Sequence, residues 1–418
     1  MPERLIITGG KKLRGTVRVS GSKNAVLPLL CATLLLKKGT TTLTNVPDIS
    51  DVHTLLSLME FLGAKTTFTK NKITVDATKL QNKKLPHELV KKLRASILLL
   101  APLYARFGSV ELDFPGGCVI GKRSTWAHEK TLESLGAQNN STDKTLRFTG
   151  KLQANDFTLP EISVTATENA LMLAACTTGE TTIRLASAEP HVQDLCKFLT
   201  KLGARIKGLG THTLVIKGTK NLKNISHKVC GDYLEVGTLA IAAAVTGGEI
   251  RIQGGERHDL DIFWEKLNEI GVPVRFEKSD IIVGSSAKYF AVEKVDTGVF
   301  PKFPTDLQAP MGVLLTQCEG RSQIFETLFE GRLAYLYELE KMGARVELTN
   351  NHQSYIVGKA ELKGASVSSF DLRAGAAMLL AGLCATGQTE VHDIYYLDRG
   401  YEKFDEKLRK LGAEIKRV

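Results

Sequence analysis

The sequence predicts a two-domain α/β protein of inside-out barrel type, with buried helices at the centre of each domain and sheets outside them. Three observations predict it: a helix-ending glycine that recurs six times, a second glycine series in the same phase, and helices that are apolar on nearly every face. The first series is Leu62-Gly63-Ala64, Leu135-Gly136-Ala137, Leu202-Gly203-Ala204, Ile270-Gly271-Val272, Met342-Gly343-Ala344 and Leu411-Gly412-Ala413, at intervals of 73, 67, 68, 72 and 69 residues. Each of these glycines follows an amphipathic stretch, such as 52–61 or 333–341, and precedes a β-rich run, as a helix-terminating glycine does. The second series, Gly39, Gly108, Gly179, Gly247, Gly320 and Gly387, is expected to close helices rich in Ala and Leu. The stretches 25–36, 170–176, 239–245 and 374–384 are apolar nearly all round, the pattern of helices buried on every side.

Taken in order, each unit of about 70 residues reads as buried helix, strand, amphipathic helix, strand, strand, and self-similarity at a fixed period marks a repeat architecture. The chain ends are out of phase with the repeat. Residues 5–8 and 16–20 supply two strands before the first helix, while Val418 follows soon after the last Leu-Gly-Ala. The N-terminal strands are therefore expected to complete the sixth unit, and the chain to cross between halves near 20–22 and 229–232. This gives an N-terminal domain of residues 22–230 and a C-terminal domain of residues 1–21 with 231–418, three units in each.

Composition narrows the function. With 418 residues, 43% of them apolar, the chain can bury a full core in each of two or three domains. No apolar run is long enough to cross a bilayer, and residues 1–14 lack the apolar segment of an export signal. Seven cysteines without paired spacing point to reduced thiols and the cytoplasm. The net charge of +10 is scattered among acids with no basic stripe interleaved with aromatics, which argues against nucleic acid and for anionic small substrates. The nine histidines show no metal-ligand spacing and no nucleotide-binding P-loop is present, so neither metal nor cofactor is expected.

The segment before each buried helix is polar: Ser22-Lys23-Asn24, Lys92-Leu93-Arg94, Thr167-Glu168-Asn169, Asp232-Tyr233-Leu234-Glu235, Thr305-Asp306-Leu307-Gln308 and Asp371-Leu372-Arg373. Helix N-termini favour anions through their unpaired N–H groups and the macrodipole. Capping alone accounts for Ser22, Thr167, Asp306 and Asp371. It does not account for Lys23, Arg94 or Arg373, because a cation at the positive end of a helix opposes the dipole, so an anion in front of each is expected. Cys118 lies in Phe114-Pro115-Gly116-Gly117-Cys118-Val119-Ile120-Gly121-Lys122-Arg123, where glycines and two cations permit an anion to approach and favour a thiolate. Cys31, Cys176, Cys318 and Cys384 lie in apolar runs and read as core residues. Arg399 is open to two readings, an ion pair with Asp398 or Glu402, or anion binding. Together with Lys23, Arg94, Arg123, Arg332 and Arg373 it would supply many donors for carboxylate and phosphate.

These residues carry a resemblance to the enolpyruvyl transferase family, in its branch of UDP-N-acetylglucosamine 1-carboxyvinyltransferases, over essentially the whole chain. The resemblance rests on Gly21-Ser22-Lys23-Asn24-Ala25, Arg94-Ala95-Ser96-Ile97, the Pro-Gly-Gly-Cys loop through Arg123, Phe303-Pro304-Thr305-Asp306-Leu307-Gln308, Asp371-Leu372-Arg373-Ala374 and Asp398-Arg399-Gly400-Tyr401-Glu402. It implies transfer of the enolpyruvyl group of phosphoenolpyruvate to the 3-hydroxyl of UDP-N-acetylglucosamine by addition and elimination. In that scheme Asp306 is the base for the hydroxyl and Cys118 the acid for the methylene carbon. It further implies that Lys23, Arg123 and Arg399 hold the phosphate and Arg332 and Arg373 the carboxylate, while Asn24, Arg94, Ser163, Val164 and Leu328 hold the nucleotide sugar. The family's fold, two domains of three units, agrees with the repeat.

Four departures from the family pattern fall on the nucleotide side: Ser124-Thr125-Trp126-Ala127 where a uridine-contacting stretch is usual, Tyr233 where Arg is usual, Leu98 in place of Trp and Glu161 in place of Lys. They motivate an alternative, a paralogous transferase acting on another nucleotide or nucleotide sugar.

Overall fold

The computed structural model describes residues 3–116 and 124–418. They form two compact units, one of residues 21–116 and 124–230, the other of residues 3–20 and 231–418, with the chain passing between them at Ser20/Gly21 and Cys230/Gly231. Each unit has its own apolar core.

In the unit 21–230, the helices Lys23–Thr33 and Val164–Ala174 both pack on the 3-10 turn Arg94–Leu99, which continues into the helix Leu100–Phe107. Three sheets accompany these helices. The first orders Ser226–Lys228, Thr40–Thr44, Lys72–Asp76 and Lys65–Thr69; the second Ser109–Asp113, Thr145–Gly150 and Ala137–Asn139; the third Arg205–Lys207, Thr213–Lys217, Glu180–Arg184 and Asp156–Thr158. In the other unit the helices Tyr233–Val245, Gln308–Thr316 and Leu372–Cys384 pack against one another pairwise, and every residue of the first is buried. A helix buried all round needs neighbours on every side, which explains why these segments show almost no amphipathic pattern. Among the described residues no helix is long and apolar enough to cross a membrane.

The repeat unit holds one strand more than the sequence suggests. A short parallel strand joins the strand that follows the buried helix in five units: Ser226–Lys228 on Thr40–Thr44, Asp156–Thr158 on Glu180–Arg184, Arg14–Arg18 on Glu249–Gln253, Lys294–Gly298 on Gly320–Phe325 and Ser366–Ser368 on Gln388–His392. This corrects one expectation. Only the first N-terminal strand, Leu5–Thr8, completes the last sheet, antiparallel to both Gln388–His392 and Glu414–Arg417. The second, Arg14–Arg18, belongs to the fourth unit.

All six helix-ending glycines have positive φ, between 93° and 125°, a conformation in which a Cβ is strained. The second series also has positive φ, but only Gly108 directly caps a helix; the others stand where the following strand begins. A different constraint fixes Gly21. A Cβ there would lie 1.8 Å from the carbonyl oxygen of Asn45, a backbone atom that cannot rotate away. Gly21→Ala is therefore expected to cost about 2–3 kcal/mol, the upper part of the range for overpacking, read as a lower urea midpoint at unchanged slope. A midpoint equal to that of the parent chain would contradict the close approach.

Candidate active site

In the unit 3–20 with 231–418, the 3-10 turn Thr305–Leu307 carries Asp306 to the head of a buried helix. Of the two readings of Asp306, cap or catalytic carboxylate, the cap is not what the structure shows, since its side chain makes no cap hydrogen bond. Its Oδ1 accepts from Arg332 Nη1 at 2.8 Å, and its Oδ2 accepts from Arg373 Nε at 3.0 Å and Nη2 at 2.8 Å. Both arginines are more than nine-tenths buried, whereas 24% of the Asp306 side chain is exposed. Burial opposes ionisation of Asp306, but the charges and hydrogen bonds of Arg373 and Arg332 outweigh it and hold the carboxyl well below the usual range. Arg373 is likewise kept charged: burial disfavours the cation, and Tyr401, Asp306 and Asp232 more than offset that. Its guanidinium carbon lies 5.1 Å from the centroid of the Tyr401 ring, whose hydroxyl pairs with Thr238 at 2.9 Å.

Asp371 caps its helix, its Oδ1 accepting from the N–H groups of Arg373 and Ala374 at 2.7 and 3.0 Å, and so fixes the base of the Arg373 side chain. Arg399 is 5% exposed. Near it in sequence, Asp398 accepts from Arg417 at 2.8 and 2.9 Å, and Glu402 accepts from the Ser20 hydroxyl at 2.5 Å, among other contacts of Arg399 and Glu402. Leu328 is exposed, on a turn whose N–H group bonds to the carboxylate of Glu326.

In the unit 21–230, Ser22 caps the helix that starts at Lys23, accepting from Ala25 N–H at 3.4 Å. Lys23 Nζ meets the buried Asp51 at 3.2 Å, so a carboxylate of the protein faces this cation, as Asp306 faces Arg373. Asn24 follows, half-buried. Arg94 donates to the carbonyl oxygens of Pro115 and Ser124, at 3.4 and 3.2 Å, and so grips both ends of the segment that bears Cys118. Cys118 and Arg123 themselves lie outside the described residues. Ser163, not Thr167, caps the helix beginning at Val164; Thr167 lies one turn in, donating to Ser163 O at 2.8 Å and accepting from Ser187 N at 3.0 Å. Cys31 and Cys318 are buried, while Cys176 and Cys384 are only partly so; burial pushes the thiols of the latter pair up to about 12.

The chain is also similar to known proteins over its whole length. A family model for EPSP synthase (3-phosphoshikimate 1-carboxyvinyltransferase) matches residues 7–408. UDP-N-acetylglucosamine 1-carboxyvinyltransferase of Pelodictyon phaeoclathratiforme is 43% identical over 99% of this chain and 98% of its own length. That of Coxiella burnetii is 43% identical over 100% and 96%. The chain belongs to the UDP-N-acetylglucosamine 1-carboxyvinyltransferase family. Among solved structures, the enolpyruvyl transferase NikO from Streptomyces tendae superposes with a TM-score of 0.90 at 26% identity, covering 100% of this chain and 99% of that one. EPSP synthase from Acinetobacter baumannii shares the fold, with a TM-score of 0.77 at 19% identity over the full length of both.

Within this carboxyvinyltransferase chain the sequence reading missed Asp51, Thr305 and Glu326 as partners of site cations or of their neighbours. Asp51 opens an ordinary-looking outer helix, and Glu326 follows a strand in Phe325-Glu326-Thr327; the only signal for either is an acid at an otherwise buried position. The departures are also placed. Trp126 begins a helix with 48% exposure, Tyr233 begins another and is 5% exposed, Leu98 is buried, and Glu161 is exposed. Behind Trp126, the buried His128 bridges Thr165 and Asn169 at 3.0 and 2.9 Å, and burial together with the charge of Arg94 pushes its imidazole down to about 3. It therefore stays neutral and does not compete with Arg94 for an anion.

Proposed function

We propose that this chain transfers the enolpyruvyl group of phosphoenolpyruvate to the 3-hydroxyl of UDP-N-acetylglucosamine with release of phosphate, the first committed step of peptidoglycan synthesis. The observation that carries the proposal is the pairing of full-length relatives of that name with a carboxylate held between two buried guanidinium groups, Arg332–Asp306–Arg373. In the reaction Asp306 accepts the proton of the sugar hydroxyl, whose oxygen bonds to the second carbon of phosphoenolpyruvate. The methylene carbon takes the proton of the Cys118 thiol and becomes a methyl group. The resulting ketal returns a methyl proton to Cys118, re-forms the double bond and expels phosphate, which leaves with the proton held by Asp306. Lys23, Arg123 and Arg399 hold the phosphate and Arg332 and Arg373 the carboxylate, stabilising charge as it moves. Asn24, Arg94, Ser163, Val164 and Leu328 hold the nucleotide sugar. The chemistry needs no metal and no cofactor.

On the same reading residues 22–230 form one domain and residues 1–21 with 231–418 the other, and the enzyme works in the cytoplasm, where its thiols stay reduced. The test is phosphate release from phosphoenolpyruvate with a panel of nucleotides and nucleotide sugars. UDP-N-acetylglucosamine is expected to have the highest kcat/KM of the panel. A higher value for another acceptor would move the reading to the paralogous transferase that Ser124–Ala127 suggests.

A further inference from the structure

One buried carboxylate beside Asp306 has no part in the reaction just described. Glu326 has 0% exposure and follows the strand Gly320–Phe325. Its Oε1 accepts from the backbone N–H groups of Leu328 and Phe329 at 2.9 and 3.3 Å, and its Oε2 accepts from the Thr305 hydroxyl at 2.7 Å. The same hydroxyl oxygen accepts from Arg332 Nη1 at 3.0 Å, and that nitrogen also donates to Asp306 Oδ1 at 2.8 Å. Arg332 Nη1 is thus shared between one carboxylate directly and a second through a hydroxyl.

We propose that Glu326 is a positioning residue of the transfer reaction, carrying part of the charge of Arg332 through Thr305 so that Arg332 releases Asp306 when a substrate carboxylate arrives. Asp306 clamped by two guanidinium groups is a weak base, and it gains basicity only as those groups turn to another anion. Arg332 Nη1 answers two acids, Asp306 directly and Glu326 through Thr305. Removing the charge of Glu326 makes the surroundings of Arg332 one charge more positive, so that Asp306 and any incoming anion are bound more strongly. A charge removed here should therefore slow turnover without weakening the binding of phosphoenolpyruvate, whereas plain structural damage would harm both.

This inference rests on the base role of Asp306 under Proposed function, so the test separates the two. In Glu326→Gln, kcat is expected to fall about tenfold while the calorimetric Kd and the KM for phosphoenolpyruvate stay level or fall. Thr305→Val should act in the same direction, Thr305→Ser, which keeps the hydroxyl, should stay within about twofold of the parent, and Thr305→Val with Glu326→Gln should be no slower than Glu326→Gln alone. Parent-like kcat in Glu326→Gln, a weakened Kd for phosphoenolpyruvate in that variant, or additive losses in the double variant would overturn the role of Glu326. Absence of phosphate release by the parent enzyme would defeat the functional reading instead, and the binding arm would then decide on Glu326 alone.

Discussion

Asp306→Asn will lower kcat by about 10²- to 10⁴-fold, the range for loss of a positioned general base. Asparagine keeps the shape of the side chain but cannot take up a proton, and its amide NH2 faces one of two guanidinium groups that present only donors. The variant leaves two buried cations facing one acceptor oxygen at position 306 where the carboxylate offered two, so stability should fall as well. Breaking a fully buried pair costs about 3–5 kcal/mol, and the partial exposure of Asp306 brings the expectation to about 1–3 kcal/mol. The pH dependence follows from the depressed carboxyl of Asp306. A group whose folded pKa lies below its unfolded value contributes stability that is fully present above the unfolded value, about 3.9, and is lost as pH falls through the folded one. The stability gap between parent and variant should therefore be constant at neutral pH and close only in strong acid. Affinity for phosphoenolpyruvate should hold or rise, because an anion has been removed from beside two cations. A kcat within threefold of the parent, measured by phosphate release, would remove Asp306 from the chemistry.

Cys118→Ser will remove most turnover, by about 10²-fold or more, while sparing nucleotide binding. A proton donor to carbon works best with a pKa near the operating pH, which a cysteine thiol can approach and a serine hydroxyl cannot. The described residues on either side of the segment that bears Cys118 are themselves closely packed and bonded. Arg94 bonds to the carbonyl oxygens of Pro115 and Ser124, and a Cβ on Gly116 would lie 2.0 Å from the carbonyl oxygen of Lys91, so glycine alone fits there. Unchanged turnover with equal UDP-N-acetylglucosamine affinity would contradict the acid role.

The fold was legible because its signals are repeated: six helix-ending glycines in the same backbone conformation and several helices with no polar face read the same way each time. The extra parallel strands were not legible. Segments of three residues such as Ser226–Lys228, Asp156–Thr158 and Ser366–Ser368 are too short to show alternation, and the first pairs with a strand far away in sequence, Thr40–Thr44. At the site, residue types foretold the cations but not what they meet. Lys23 and Arg373 were expected to have an anion in front of them because the helix dipole opposes them, and the carboxylates of Asp51 and Asp306 that also meet them were not foreseen. Thr167 and Asp306 were read as caps from local sequence alone, although Ser163 takes the first role and two distant arginines claim Asp306.

The account turns on a methyl-bearing intermediate between addition and elimination. Running the reaction in deuterium oxide with phosphoenolpyruvate and UDP-N-acetylglucosamine, and measuring the product by mass and proton resonance, tests this most directly. Protonation of the methylene carbon followed by loss of any of three hydrogens predicts solvent deuterium in the vinyl group of the product. A product formed at full rate with no deuterium in that group would contradict the mechanism.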